Sequence, residues 1–190
     1  MPTTGLYGFK YENMYYLHFN SHDSYFKALG TDLLNEVKYM VKNNAFMMSL
    51  DSFKNLIFIQ ETDRPSFNQI DKCKKILNRN VDSSNCFTEL FKHIEGSYIS
   101  IFKSGFMFVN KPLTEEEVFK LNIEYIYVLN FDDKMFEVTS NYNNTNKYLL
   151  VLPENLKVLP VGLNEELKKD VIEKEGYTQL LNSIKTLNIK

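Results

Sequence analysis

The first hairpin constrains this chain most. Leu6 to Lys10 and Met14 to Phe19 are short, aromatic-rich runs with Glu12-Asn13 between them as a turn. Side chains alternate across a strand, so Tyr15, Leu17 and Phe19 share one face of the second run, and Met14, Tyr16 and His18 the other. Both faces are apolar enough to need cover. That pattern belongs to a sheet sandwiched between layers, not to one left open to water.

Helices must supply some of that cover. After a polar loop, Asn20 to Tyr25, a Leu29-Gly30 turn leads to Thr31, read as a helix cap, with Asp32 in the first turn. Leu33, Leu34, Val37 and Val41 form one stripe at spacings of three and four, ended by Asn43-Asn44. From Ala45 to Gln60 the pattern is ambiguous, with Leu56 to Ile59 favouring a strand. Ser66 to Gln69 reads as a capping box before a helix whose stripe is Ile70, Cys73 and Leu77, which puts Cys73 inside. Ser84 to Glu95 and Ser97 to Ser104 read as helices, each followed by a glycine, Gly96 and Gly105, suited to a left-handed exit. Phe106 to Val109 is a brief strand.

Thr114 to Glu117 is a second capping box, opening a short helix to Leu121. Glu124 to Asn130 and Lys134 to Thr139 make the clearest hairpin, turning at Asp132-Asp133, where Asp suits a turn by accepting its own backbone N–H two residues on. Asn141 to Asn146 reads as a polar loop. Tyr148 to Leu152 and Leu156 to Leu159 read as strands punctuated by Pro153 and Pro160. Asn164 caps a helix to Glu175, ended by Gly176, and a last helix runs from Thr178 to Leu187. With no internal repeat and no linker, the expectation is a single α+β domain over residues 1–190, with antiparallel hairpins in a sheet covered by helices.

Composition narrows the function. With 22 basic against 24 acidic residues the chain lacks the footprint of a nucleic-acid or anionic-membrane binder. Only Arg64 and Arg79 are arginine, and Asn is abundant, a bias that AT-rich coding DNA produces. Cys73 and Cys86, without a secretory pattern ahead of them, read as reduced, structural thiols in a cytoplasmic setting. No apolar run reaches the length of a membrane span.

Chemical motifs are scarce. The sequence has no Gly-rich phosphate loop, CxxC, HExxH or EF-hand pattern, and His18, His22 and His93 have no metal-ligand spacing, so no cofactor or metal is expected. His93 reads as a helix-surface residue. Glu115 to Glu117 read as a charged first helical turn, and most of the 12 tyrosines and 15 phenylalanines as core. Ser21, His22, Asp23 and Ser24 hold the letters of a nucleophilic triad. Triads are assembled from separate elements, and adjacent side chains are expected to point apart.

The loop also carries a resemblance. Phe19 to Gly30, FNSHDSYFKALG, resembles the Tyr-Asn-His-Phe-Asp-Ser-Tyr-Pro-x-Gly-Leu-Gly motif of a family of short bacterial, phage and fungal proteins that open Met-Gly-Thr-Arg-Gly. Asn20, Asp23, Ser24, Tyr25, Leu29 and Gly30 match it; Ser21 replaces the motif's His, Phe26 its Pro, and Thr4 the opening Arg. Ser66 to Ile70 is similar to that family's Thr-Pro-Glu-Gln-Ile, and Glu124 to Val138 to its Glu-Trp-Ala-Tyr-Val-Ile-Asp-Leu-Asp hairpin. The resemblance implies a shared fold and a place to look, and names no reaction.

Three readings follow. The first is a module binding a small ligand or a protein through Asn20, Ser21, His22, Asp23, Ser24 and Tyr25, since recognition residues concentrate on loops held by a scaffold. Its bland counterpart has Asn20 and Asp23 merely satisfying backbone groups. The second is an N-terminal-nucleophile-like hydrolase using Thr3, although removal of Met1 would expose Pro2. The third is a structural or interaction protein, of a virus-borne kind, whose surface matters more than any pocket.

Overall fold

A computed structural model of the chain describes residues 3–139 apart from 44 and 61, together with the backbone of 140, 146–151 and 158–159. Two hairpins build its main sheet. β1 (Gly5–Tyr11) and β2 (Met14–Asn20) pair antiparallel, as do β5 (Tyr125–Asn130) and β6 (Met135–Ser140). The hairpins join through a parallel pair, β1 beside β5, with Tyr7 opposite Tyr127. This is where the fold departs from a purely antiparallel sheet. Parallel neighbours need a long crossover, and the helical middle of the chain supplies it. β7 (Asn146–Val151) and β8 (Val158–Leu159) extend the sheet to the order β2-β1-β5-β6-β7-β8.

Both faces of the hairpin sheet are covered. On one, Tyr7, Phe9, Tyr127, Leu129, Phe136 and Val138 belong to the large helix-packed core. On the other, Tyr15, Leu17, Ile126 and Val128 pack with Val118 of α6 (Glu115–Phe119). That second face also holds a buried polar group, in which Asn130 Nδ2 donates to Glu137 Oε1 at 2.6 Å and to Asp133 Oδ2 at 2.9 Å. Lys10 Nζ lies 4.0 Å from Asp133 Oδ2. The result is an α+β fold in which helices and strands serve one sheet.

The helices are α1 (Thr31–Lys42), α2 (Phe46–Lys54), α3 (Phe67–Leu77), α4 (Cys86–Ile94), α5 (Tyr98–Ser104) and α6. Both capping boxes form. Gln69 N donates to Ser66 Oγ while Ser66 N donates to Gln69 Oε1, and Thr114 and Glu117 repeat the exchange. Gly105 leaves α5 at φ +71°, and Gly96, just beyond α4, lies at +80°. β3 (Ile57–Ile59) is the expected strand and pairs parallel with β4 (Phe106–Phe108) in a second, two-stranded sheet.

Three local expectations need correction. Thr31 does not cap the first helix. A π-helical turn over Phe26–Gly30 runs straight into α1, and Thr31 Oγ1 donates back to the Phe26 carbonyl at 2.8 Å. Gly30 is helical at φ −60° and is glycine for space, since a Cβ there would lie 2.6 Å from Phe26 Cδ2 and 2.7 Å from the Tyr127 ring. The fully buried α1 stripe ends on Met40, with Val41 only partly covered. Asp132 does not cap its own turn either: its carboxylate accepts the backbone N–H groups of Glu12 and Asn13, at 2.8 and 2.9 Å. Residues 141–145 of the polar loop expected at Asn141 to Asn146, and the helices expected beyond residue 160, lie outside the described residues, while Asn146 opens β7.

Among the described residues, no helix is long and apolar enough to cross a membrane. No group of three or more His, Cys, Asp or Glu among them could hold a metal ion.

Candidate functional site

The loop from Asn20 to Tyr25 divides into side chains that point in and side chains that point out. Asn20 and Ser24 point in, and both are buried. Asn20 Nδ2 donates to Ser24 Oγ at 2.8 Å and to the His22 carbonyl. Ser24 N donates to the Thr3 carbonyl at 3.3 Å, and the Tyr127 hydroxyl donates to the Ser24 carbonyl at 2.8 Å. The fit is tight: a Cβ on Gly5 would come within 2.5 Å of Ser24 Cβ. These contacts pin the loop to β1 and β5. Asn20 and Ser24 are its internal frame, as the bland reading expected of Asn20.

Asp23 turns the chain. Its φ is +45°, a left-handed conformation that Asp tolerates better than most side chains, and its carbonyl accepts Leu29 N at 3.3 Å. The Asp23 carboxylate faces solvent and has no hydrogen-bond partner among the described residues. Tyr25, extended at φ −65° and ψ 160°, leads into the π turn and is 41% exposed.

Ser21 and His22 meet a residue that the sequence did not reveal. Glu95, just beyond α4, places Oε1 2.6 Å from Ser21 N and 2.7 Å from Ser21 Oγ. Ser21 Oγ also contacts His22 Nδ1, so the expectation that these neighbouring side chains point apart is wrong. Tyr7 holds Glu95 in place from below. Its hydroxyl donates to the Ile94 carbonyl at 3.0 Å and accepts Gly96 N at 2.8 Å, fixing the end of α4 on both sides of Glu95. Ser97 Oγ, next along, donates to Glu36 Oε1 at 2.6 Å, and burial raises the Glu36 carboxyl above its usual range.

Ser21, His22 and Glu95 nonetheless do not make a triad. In a triad the imidazole sits between carboxylate and hydroxyl, accepting the hydroxyl proton at one nitrogen and donating from the other. Here the hydroxyl sits in the middle. Its single proton goes to Glu95, and its oxygen also contacts His22 Nδ1. The His22 ring is exposed. Beside it the exposed Asp23 carboxylate offers acceptor oxygens that suit a ligand bearing N–H or O–H donors.

Two neighbours complete the site. His18, two residues before Asn20, is fully buried between Phe91 and Tyr7, with ring centroids at 4.8 and 5.2 Å. Its Nδ1 lies 3.1 Å from the Phe108 carbonyl, and Nε2 has no partner among the described residues. Burial holds the imidazole neutral by lowering its pKa to about 4. His18 is thus a tie between β2 and β4 beneath the loop. Thr3 Oγ1 is likewise buried and unpartnered among the described residues, while the Thr3 carbonyl anchors Ser24.

Compared with protein-family models, curated proteins and solved structures, the chain matches none.

Proposed function

We propose that this protein is a binding module whose recognition surface is the outer side of the Asn20 to Tyr25 loop. Ser21, His22, Asp23 and Tyr25 make the contacts, Asn20 and Ser24 frame them, and Glu95 anchors them from α4. One observation carries the reading: the loop is pinned from within by buried hydrogen bonds while the unpartnered Asp23 carboxylate and the His22 ring are exposed. A preorganised loop loses little conformational entropy on binding, which is how few contacts suffice for affinity. The complementary ligand is small and rich in donors, such as an amine, a guanidinium or the donor edge of a nucleobase. The resemblance at Asn20, Asp23, Ser24 and Tyr25 points to the same loop, and the cytoplasm of the producing or host cell, of viral or phage origin, is the setting this reading assigns.

A thermal-shift panel of amines, guanidinium compounds, nucleotides and nucleosides tests it. A ligand that binds only the folded chain raises Tm by mass action. The expected result is a shift in wild type that His22→Ala and Asp23→Ala each abolish. A shift that both variants retain would place binding elsewhere.

The hydrolase reading keeps one supporting observation, the buried, unpartnered Thr3 hydroxyl at the head of β1. Burial also argues against it, because a nucleophile must meet its substrate. Intact mass decides: a mature chain beginning at Thr3 supports it, and a retained Pro2 ends it.

A further inference from the structure

The tie beneath the loop is built around one ring. His18 Nδ1 lies 3.1 Å from the Phe108 carbonyl, which can only accept, so Nδ1 carries the hydrogen and Nε2 the lone pair. Nε2 is buried and has no partner among the described residues. Aromatic rings surround the imidazole: Phe91 and Phe108 at 4.8 and 5.9 Å between centroids, and Tyr7 edge-on at 5.2 Å. Phe91 of α4 also packs on Phe108 of β4 at 5.3 Å, so α4 and β4 meet His18 together. β4 brings no titratable group to the ring. β1 brings the Tyr7 phenol, which burial keeps neutral, and the end of α4 brings the charge of Glu95. Lys92 and His93, also on α4, are exposed. The same end of α4 reaches the loop, because Glu95 holds Ser21 while Tyr7 holds Ile94 and Gly96.

We propose that His18 is an acid-operated latch: a proton on Nε2 parts α4 and β4 from β2, withdraws Glu95 from Ser21 and releases the Asn20 to Tyr25 loop. The neutral ring needs only the Phe108 carbonyl. The charged ring adds a second N–H donor among three aromatic rings, and a buried charge without a partner is driven toward water. Burial is the reason the folded ring resists protonation down to about pH 4, against 6.5 as the ordinary value; the Glu95 charge opposes it and is outweighed. Between those values the open form binds more protons than the closed one. Each unit of acid therefore raises the open fraction by up to about ten-fold. The loop is anchored near neutrality and loses its α4 anchor in acid. The purpose of the latch, dropping a bound ligand, rests on the binding function proposed above; its opening is read without any ligand.

Amide hydrogen exchange on the full chain tests it, followed by NMR from about pH 7 to pH 4.5 and corrected for the intrinsic rate at each pH. The Ser21 and Gly96 N–H groups are the reporters, because both bond across the seam, to Glu95 and to the Tyr7 hydroxyl. Their opening should rise by about ten-fold per pH unit below pH 6, while the amides that pair β1 with β5 stay protected. The rise should follow the titration of the His18 ring, seen through its own nitrogen signals, with the hydrogen on Nδ1 at pH 7. His18→Phe should lose the response. Four results would each overturn the proposal: no acid response at the reporters, an equal loss of protection at β1 and β5, a rise that follows the His22 ring, or a His18 hydrogen on Nε2 at pH 7. The wild-type signals decide this alone, so a His18→Phe chain that fails to fold does not cloud the result. No ligand enters the measurement, which keeps a failed latch distinguishable from a failed binding reading.

Discussion

The two ends of the first hairpin are both polar turns, and they use their polar groups in opposite ways. At one end Glu12 and Asn13 take φ of +53° and +61°, and Asp132 from the second hairpin receives both their N–H groups. Asn130 and Asp133 satisfy each other beside it. That carboxylate is consumed by backbone. At the other end Asn20 and Ser24 do the equivalent work from inside, and Glu95 holds Ser21 from a neighbouring helix. Asp23 is then left over, its carboxylate facing outward. Two exposed aspartates at opposite ends of the first hairpin thus have different fates, and the partner decides which carboxylate is left open to solvent.

Acid should have the largest effect, at the loop end, through His18. Its imidazole has a pKa of about 4 in the fold against 6.5 as the ordinary value. Between those values the unfolded chain binds more protons, so stability rises with pH there. The contribution is complete above pH 6.5, falls away as pH drops toward 4, and amounts to about 3 kcal/mol in all. The Glu95 charge acts the other way but is outweighed by burial. Urea midpoints measured from pH 7.5 to 4 should fall along this window in wild type and stay flatter in His18→Phe.

Next comes Asn20→Ala, which strips the loop of its internal frame and leaves Ser24 Oγ buried without that donor. A loss of about 2 kcal/mol is expected in urea denaturation. A loss within error would mean the loop is not framed from within. Asp132→Ala tests the opposite end; two exposed but charge-assisted bonds go, and about 1 kcal/mol should go with them. Asp23→Gly should cost nothing. Glycine accepts φ of +45° freely, so stability should hold or rise by up to about 1 kcal/mol.

Local physics was readable in advance, and distant partnership was not. The capping boxes at Ser66 and Thr114 reach three residues, and the exits at Gly96 and Gly105 concern one backbone angle each; both kinds of signal sit within a few letters. The two-faced hairpin demanded cover on both sides and has it. α2 escaped because its buried stripe includes Ser49, whose hydroxyl donates to the Phe46 carbonyl at 2.6 Å, while Met47 and Met48 face out. The π turn escaped because Gly30 serves packing against Tyr127, far away in sequence. Glu95 escaped for the same reason: it lies 74 positions from Ser21 and carries no motif that announces the pairing. The loop could be located from its polar density. The division between its inner and outer residues needed the neighbours in place.

The most direct test of that division is ligand binding by Asp23→Gly and wild type, side by side. Both would be melted alone and with the compound that shifts wild type most. The expected result is an apo Tm in the variant equal to or above that of wild type, with the ligand-induced rise lost. A variant that melts well below wild type, or that keeps the full rise, would contradict the assignment of Asp23 to recognition.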